Sequence, residues 1–421
     1  MSSYKKIGVV LCLFALCCTL ASCSSKQEDA NKVSLWTGMD AEYPKLVELC
    51  GKFTDQTGIE VELLKVPFRE LRNKYFVAAP AGVGPDLLLG AHDWIGAMQI
   101  ADLIAPIPDS FRFDDFTDVA KKASAYEHKM YMAPLCMDTL ALFRNRQLMP
   151  ERPRTMEDML DKAVEIQRAS IGKDGRPAIN GFYYEIKEAY FSTPFLTMFG
   201  AYLLGEKDGV YDPTDVGLGN EGAIKGAKFL RALRDEKQYG LIKAGCSESI
   251  SRTLFYDGTA AVIVNGPWIL QELKNRNNDP AKKHIDYVVD PFPVCKDGSV
   301  PRSIVGFQGL MLSKFSRNPE GALKLIEFLT ATDQMCEISN ASGRPPVTNT
   351  ALARVADNVD IATFAQVCQS GIPMPSHPAC QQIWEPAKQS FELIANGEVK
   401  PEEEMPNLTA RIKQNIVLMM E

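Results

Sequence analysis

The chain has 421 residues, of which 46% are hydrophobic and 24% are charged, and its formal net charge is −7. These proportions are ordinary for a folded soluble body, and the length predicts two or more lobes. The acidic balance argues against nucleic acid and polyanionic ligands as main partners. Four histidines without metal-ligand spacing, and no Gly-rich phosphate loop, predict neither a metal site nor a cofactor.

The first 22 residues have the pattern of a secretory signal. Two lysines precede an apolar run over 7–21, which is too short for a comfortable bilayer span. The sequence Leu20-Ala21-Ser22-Cys23 resembles the bacterial lipobox, which implies cleavage before Cys23 and acylation of that residue. Residues 23–32 would then form a lipid-anchored tether. The alternative is an ordinary cleaved signal that contains cysteines.

The remaining cysteines are odd in number, scattered, and without Cys-x-x-Cys spacing. We therefore expect mainly buried free thiols, with one or two disulfides left open. These residues are Cys50, Cys136, Cys246, Cys295, Cys336, Cys368 and Cys380.

In the first third of the body, short strands alternate with helices. Asp40 stands where a helix N-cap would, and Gly58 ends the helix that follows. This order predicts a mainly parallel sheet covered by helices. The predicted strands are 33–36, 59–63 and 87–89, and the predicted helices follow Asp40, at 68–79 and at 93–103.

The rest of the body has longer helical patterns. Asn220 is expected to cap a helix that ends near Gly240. A buried strand is predicted over 259–265, with a Gly-Pro turn directly after it. Asn318-Pro319-Glu320 predicts a further helix start, and 383–421 predicts two closing helices.

Several segments, in this order, resemble the maltose-binding protein family, the sugar-binding subunits of bacterial ABC importers. No single segment is specific, but the ordered set is. The segments are 84–89 with Ala91-His92-Asp93, 131–135, 142–145, Glu188-Ala189-Tyr190-Phe191, 259–262 with Asn265-Gly266-Pro267-Trp268, Met374-Pro375, Trp384 and Lys388.

The resemblance implies a type II periplasmic-binding-protein fold, with two α/β lobes joined by hinge strands and closed by C-terminal helices. The first lobe would comprise 33–137 plus 305–355. The second lobe would comprise 138–304 plus 356–421. The chain would cross between the lobes near 136–141, 304–309 and 353–360.

By the same resemblance, Trp268, Trp384 and Tyr190 would stack on sugar rings, because a pyranose has an apolar face that aromatic rings cover. A core position explains each tryptophan otherwise, and a half-buried Tyr with a satisfied hydroxyl explains Tyr190. For Trp268, its place after a strand end and a Gly-Pro turn favours a cleft wall.

Carboxylates would accept hydrogen bonds from the sugar hydroxyls. Asp40, Asp93 and Glu188 match such acceptors, although a helix cap or a solvated surface carboxylate explains them otherwise. Asp138 stands where the family has a glutamate on a hinge strand, so its shorter side chain leaves its ligand role open. Lys388 replaces a family arginine at the end of the set.

The first-lobe positions depart from the family pattern. Ala41 replaces a basic residue, and Gly90 stands where an aromatic residue lines the first lobe. Trp94 either supplies the missing stacking surface or anchors a helix face. The ligand class expected is therefore maltose- or maltodextrin-like, with the exact sugar open.

The predicted function is a non-catalytic, monomeric solute-binding lipoprotein, exported and held on the periplasmic or extracytoplasmic face by Cys23. It would close on an oligosaccharide and dock on an ABC permease. One alternative is a binder of another sugar, a glycerophosphodiester, a polyamine or a metal chelate. Another is a surface glycan hydrolase using two of the carboxylates.

Overall fold

The computed structural model describes residues 31–207 and 210–420. The predicted signal, Cys23 and most of the tether lie outside these residues. Within the described ranges, none of the helices combines the length and apolarity needed to cross a bilayer.

The described strands are short, and most are buried. In chain order they are β1 (Lys32–Thr37), β2 (Glu60–Lys65), β3 (Leu87–Ala91), β4 (Ile104–Ala105), β5 (Ala125–Tyr126), β6 (Lys129–Met130), β7 (Ala133–Asp138), β8 (Ala141–Asn145), β9 (Asn180–Tyr183), β10 (Leu204–Lys207), β11 (Val210–Val216), β12 (Ala260–Asn265), β13 (Tyr287–Asp290), β14 (Ile304–Ser313) and β15 (Ile372–Pro373).

The helices cover both sheets and close the chain at its C-terminal end. They are α1 (Tyr43–Thr57), α2 (Phe68–Ala78), α3 (Ile95–Ile100), α4 (Asp118–Ser124), α5 (Met156–Ala169), α6 (Ala189–Thr197), α7 (Glu221–Arg234), α8 (Glu248–Tyr256), α9 (Leu270–Asn278), α10 (Pro319–Thr330), α11 (Thr332–Ser342), α12 (Asn349–Arg354), α13 (Val359–Ser370), α14 (Trp384–Asn396) and α15 (Pro401–Met420).

The larger sheet is mixed rather than mainly parallel. β1 pairs in parallel with β2 and β3, as the βαβαβ order predicts. The ten-residue β14 then pairs antiparallel with both β3 and β7. The parallel prediction is correct for the N-terminal strands only, because β14 comes from more than 200 residues further along the chain, where no local pattern reveals its direction.

The second sheet has the order β13-β8-β12-β9. β12 pairs in parallel with β9 and antiparallel with β8. All six residues of β12 are buried, as its apolar sequence predicts.

Each sheet has its own hydrophobic core. The first core draws on residues between Val33 and Met137, then between Val305 and Ala351. The second draws on residues between Leu140 and Ile304, then between Phe364 and Ile416. The chain thus passes from one core to the other at three places: the β7–β8 connection, the start of β14, and the segment before α13. Cys368, on α13, is an exception because it packs in the first core.

Three local predictions are wrong. The N-cap position of α1 is Glu42 rather than Asp40, and Glu42 makes no side-chain cap bond. Helix α7 ends at Arg234, well before Gly240, because Asp235 is extended (ψ 117°) and breaks the helix. The segment from Asp93 to Leu103 forms a 3-10 turn followed by only the six residues of α3.

All the cysteines in the described residues are free thiols, and all but Cys336 are buried. Burial raises the pKa of the Cys50 thiol to about 12, so that thiol stays protonated and inert. This confirms the expectation of buried free thiols.

Candidate functional site

The carboxyl ends of β1, β2 and β3 lie at one edge of the first sheet, because the three strands are parallel. Open α/β sheets bind ligands in the crevice outside these ends. The residues that follow the three strands include Glu42 after β1, Phe68 after β2, and Asp93 with Trp94 after β3.

A buried ionic network joins this edge to β7 and β14. Arg344 donates from Nε to Asp138 Oδ1 at 2.5 Å and from Nη1 to Glu42 Oε1. Gln308, on β14, donates from Nε2 to Asp138 Oδ2 at 2.8 Å. All four side chains are buried. A planar guanidinium suits this double pairing, since it presents several donors in a fixed plane.

The network has an excess of negative charge and of acceptors. Burial opposes the charge on Arg344, but Asp138 and Glu42 outweigh that effect and raise the pKa of the guanidinium well above its ordinary value. One cation therefore faces two carboxylates. Glu42 Oε2 and Gln308 Oε1 are buried without a hydrogen-bond partner among the described residues. Such atoms are costly to bury, so a ligand that donates hydrogen bonds would satisfy them.

A group of aromatic side chains of the second lobe lies beside this network. The guanidinium carbon of Arg344 lies 5.9 Å from the centre of the Trp268 ring. Phe191 is in edge contact with both Trp268 and Tyr190, with ring centres 6.3 Å and 6.1 Å away. Tyr190 donates weakly to the Ile304 carbonyl at 3.5 Å. Burial first, then the charge of Asp138, raise the pKa of the Tyr190 hydroxyl well above its ordinary value.

Gly266 leaves the space that the Trp268 ring occupies. The indole folds back over the backbone of Gly266, and a Cβ there would lie 2.0 Å from the ring. Any other residue at this position would displace the indole. The Asn-Gly-Pro-Trp segment therefore fixes the ring at the end of β12, half-buried against the second core.

Asp93 is buried and joined to the C-terminal part of the chain. Gln381 donates to Asp93 Oδ2 at 2.5 Å and to its carbonyl at 3.1 Å. Arg72, on α2, donates to the other end of the same amide. Trp384 follows Gln381 by three residues, opens α14 and packs partly buried against the second core. The sequence did not reveal Arg72 or Gln381 as members of the site.

Glu188 faces the first lobe across a charged contact. Arg69 Nη1 lies 3.6 Å from Glu188 Oε2, and Arg69 Nη2 lies 4.0 Å from Glu185 Oε2. Burial raises the pKa of Glu188, while the charges of Arg69 and Lys388 oppose that shift. Glu188 and Lys388 therefore interact electrostatically, and their roles as ligand contacts stay predictions.

Asp40 lies apart from the buried groups. Its side chain is 82% exposed and pairs with Lys65 at 2.7 Å. Its ligand role stays a prediction, while its neighbour Glu42 is the carboxylate that this loop buries. No sequence pattern indicated Glu42, because a glutamate in the first turn of a predicted helix is typical of a solvated surface.

Trp94 fills the space that Gly90 leaves. A Cβ on Gly90 would lie 2.4 Å from the Trp94 ring, and the ring is only 6% exposed. Phe68 covers it from outside, with ring centres 5.2 Å apart. This geometry favours the helix-face anchor over the stacking surface.

His92, which no sequence pattern singled out, is fully buried and links β14 to the segment around Met374. Its Nδ1 accepts from the Phe307 amide at 3.1 Å, so Nε2 carries the proton and donates to the Met374 carbonyl at 3.0 Å. Burial lowers the pKa of His92, although the nearby carboxylates of Asp93 and Asp138 oppose the shift.

We expect this histidine to make stability depend on pH. The pKa is lower in the folded chain than the ordinary value of about 6.5, so the unfolded chain takes up the proton first. The free energy of unfolding should therefore fall as pH drops below about 6.5, by at most about 1.4 kcal/mol per pH unit for this group. Urea unfolding between pH 7.5 and 5 would measure the slope. His92→Gln should flatten it, and an unchanged slope in that variant would contradict the assignment.

Two α/β lobes with separate cores, joined by crossing strands and facing each other across aromatic and acidic side chains, define a two-lobe binding protein. A family model described as bacterial extracellular solute-binding protein matches residues 48–363. The chain belongs to that family.

Named relatives match along nearly the whole length. The galactooligosaccharide-binding protein of Bacillus subtilis (strain 168) is 25% identical, over 99% of this chain and 98% of its own. The maltodextrin-binding protein MdxE of the same organism is 25% identical, over 98% of each. The Thermus thermophilus maltotriose binding protein bound with maltotriose superposes with a TM-score of 0.83 at 28% identity, covering 91% of this chain and all of that one. The predicted two-lobe fold is confirmed.

Proposed function

We propose that this chain captures maltooligosaccharides between its lobes and delivers them to the permease of an ABC importer. The observation that carries the proposal is the pair of unpartnered acceptors, Glu42 Oε2 and Gln308 Oε1, in a network that meets Trp268. A sugar offers what both sides of this site need: hydroxyl donors at its rim and an apolar ring face.

The relatives support the same ligand class. They include proteins named for maltodextrin, maltotriose and galactooligosaccharide, and two are called maltooligosaccharide ABC transporter solute-binding lipoproteins. We propose that Trp268, Trp384 and Tyr190 stack on the glucose rings. Asp93, Glu188 and Lys388 would bond to hydroxyls at the rim.

Closure of the lobes would complete the site. Several polar contacts join the lobes at separate places, among them Arg69 with Glu188, Gln381 with both Arg72 and Asp93, and Lys122 Nζ with Glu206 Oε1 at 2.7 Å. An opening motion about β7, β14 and the segment before α13 would break them. A ligand that contacts both lobes favours the closed form by its extra contacts there.

We further propose that Cys23 is acylated and holds a monomeric body at the membrane surface, next to its permease. Anchoring would raise the local concentration of the binder. The lobe boundaries at 137/138, 304/305 and 355/356 belong to the same proposal. The known members of the comparison are binding proteins, so we propose binding without catalysis.

A titration of intrinsic tryptophan fluorescence tests the ligand class. The purified full-length protein would be titrated with maltose, maltotriose, galactooligosaccharides and glycerophosphocholine. A saturable shift with the α-glucans supports the proposal. A fluorescence shift with galactooligosaccharides alone would mean that they, and not α-glucans, are the ligand. If none of the sugars changes the fluorescence, the proposal of sugar binding is overturned.

An incubation with maltohexaose separates binder from hydrolase. We expect no new reducing ends over a day at a stoichiometric concentration of protein. Their release would make the chain a glycan hydrolase and overturn the proposed function.

A further inference from the structure

We propose that Phe68 is the aromatic side chain of the first lobe that contacts the sugar, and that Trp94 supports it from beneath. The inference rests on the proposed function and goes beyond it by assigning a binding residue. Phe68 is the first residue of α2 and follows Pro67, directly after β2.

Its position at the sheet edge is fixed by backbone packing. The Phe68 Cα lies against Gly38, where a Cβ would approach it to 2.7 Å. Gly38 follows β1, and Trp94 follows β3. Phe68, which follows the edge strand β2, therefore contacts the loops after β1 and β3 at the carboxyl ends of the parallel strands, which is where such sheets bind ligands.

The first turns of α2 border the cleft. The next residue, Arg69, reaches Glu188 in the second lobe, and Arg72, one turn on, reaches Gln381. Phe68 begins the same helical turn as Arg69, so its backbone lies in the part of α2 that approaches the second lobe.

Its exposure distinguishes Phe68 from Trp94. The Phe68 side chain is 40% exposed, whereas Trp94 is 6% exposed beneath it. The two rings are tilted by 36° at a centroid distance of 5.2 Å. Trp94 thus fills the volume over Gly90 and fixes the Phe68 ring from behind, while the outer face of Phe68 stays open. An aromatic ring with one packed face and one open face is suited to the apolar face of a pyranose.

The test is calorimetric titration of the full-length protein with maltotriose. We expect Phe68→Ala to weaken binding about tenfold, and Phe68→Tyr to keep the affinity within about threefold. Phe68→Leu should lose most of the affinity that Phe68→Ala loses, because an aliphatic side chain offers bulk but no π-face. Phe315→Ala is the matched control. Phe315 is 43% exposed and belongs to the first lobe, but it follows the end of β14 that pairs with the start of β3, at the opposite edge of the sheet.

The outcomes separate this inference from the proposed function. If the unaltered protein does not bind maltotriose, the proposed ligand is wrong. The same series run with the galactooligosaccharide then supports the assignment of Phe68 if Phe68→Ala weakens binding, and overturns it if binding is unchanged or absent. If the unaltered protein binds and Phe68→Ala binds equally well, the inference is overturned. It is also overturned if Phe68→Leu retains full affinity, since the ring would then act only as packing.

Discussion

Replacing Trp268 by alanine should weaken maltotriose binding roughly 30- to 100-fold, the largest loss expected from any single aromatic side chain in the cleft. Trp268 lies in the turn that follows the buried β12, folds over Gly266 and has its ring centre 5.9 Å from the guanidinium carbon of Arg344. Large aromatic side chains at the centre of an interface often contribute about 2 kcal/mol or more, and about 1.4 kcal/mol corresponds to tenfold in affinity. Calorimetric titration of the full-length variant would measure the change.

The matched control is Trp36→Ala. Trp36 lies in β1 of the first lobe, partly buried, with the Lys74 ammonium 4.8 Å from its ring centre. The same atoms are removed in both variants, so a general loss from truncating tryptophan would appear in both. We expect Trp36→Ala to bind maltotriose within about threefold of the unaltered protein. Equal losses in the two variants would refute a ligand-stacking role for Trp268.

The parts of the fold with local signals were predictable from the sequence. Apolar runs and alternation located β1, β2, β3 and β12, and Asn318 and Asn220 cap α10 and α7 as expected. Both caps follow from side-chain oxygens that accept an amide of the first turn. The sheet direction of β14 had no such signal, since pairing between distant strands is set by the whole fold.

The candidate site was predictable in its aromatic half and less so in its polar half. Trp268 and Tyr190 lie in segments whose residues match a known family, and in the structure both contact Phe191. Their stacking on a sugar stays a prediction. Arg344 pairs with partners 206 and 302 residues away in sequence. No periodicity or spacing connects such residues. The same holds for Gln308, whose role depends on the register between β14 and β7.

The role inferred for Asp138 changes once its hydrogen-bond partners in the fold are known. The sequence presented it as a hinge carboxylate with a short reach toward a ligand. In the structure both of its oxygens are engaged, by Arg344 and by Gln308. We infer that Asp138 orients these two donors, and that the open acceptors lie on Glu42 and Gln308 instead.

Replacing Arg344 by methionine should lower the free energy of unfolding by about 3–5 kcal/mol. The change removes the cation from between Glu42 and Asp138 and leaves two buried carboxylates without a counter-charge, which is the costly way to break a buried ion pair. Urea unfolding at pH 7 of the full-length variant would show the loss as a lower transition midpoint.

Arg354→Met is the matched control for this substitution. Arg354 pairs with Asp333 at 2.5 Å, but the two side chains are 55% and 76% exposed. A solvated pair of this kind contributes about 1 kcal/mol at most, so the control should unfold close to the unaltered protein. Adding Glu42→Gln and Asp138→Asn to Arg344→Met should recover much of the lost stability, because the buried charges are then gone together. If Arg344→Met is no less stable than Arg354→Met, the network does not hold the lobe together in the way its geometry indicates. If the triple variant is stable yet fails to bind maltotriose, the network serves ligand binding more than folding, as the open acceptor on Glu42 suggests.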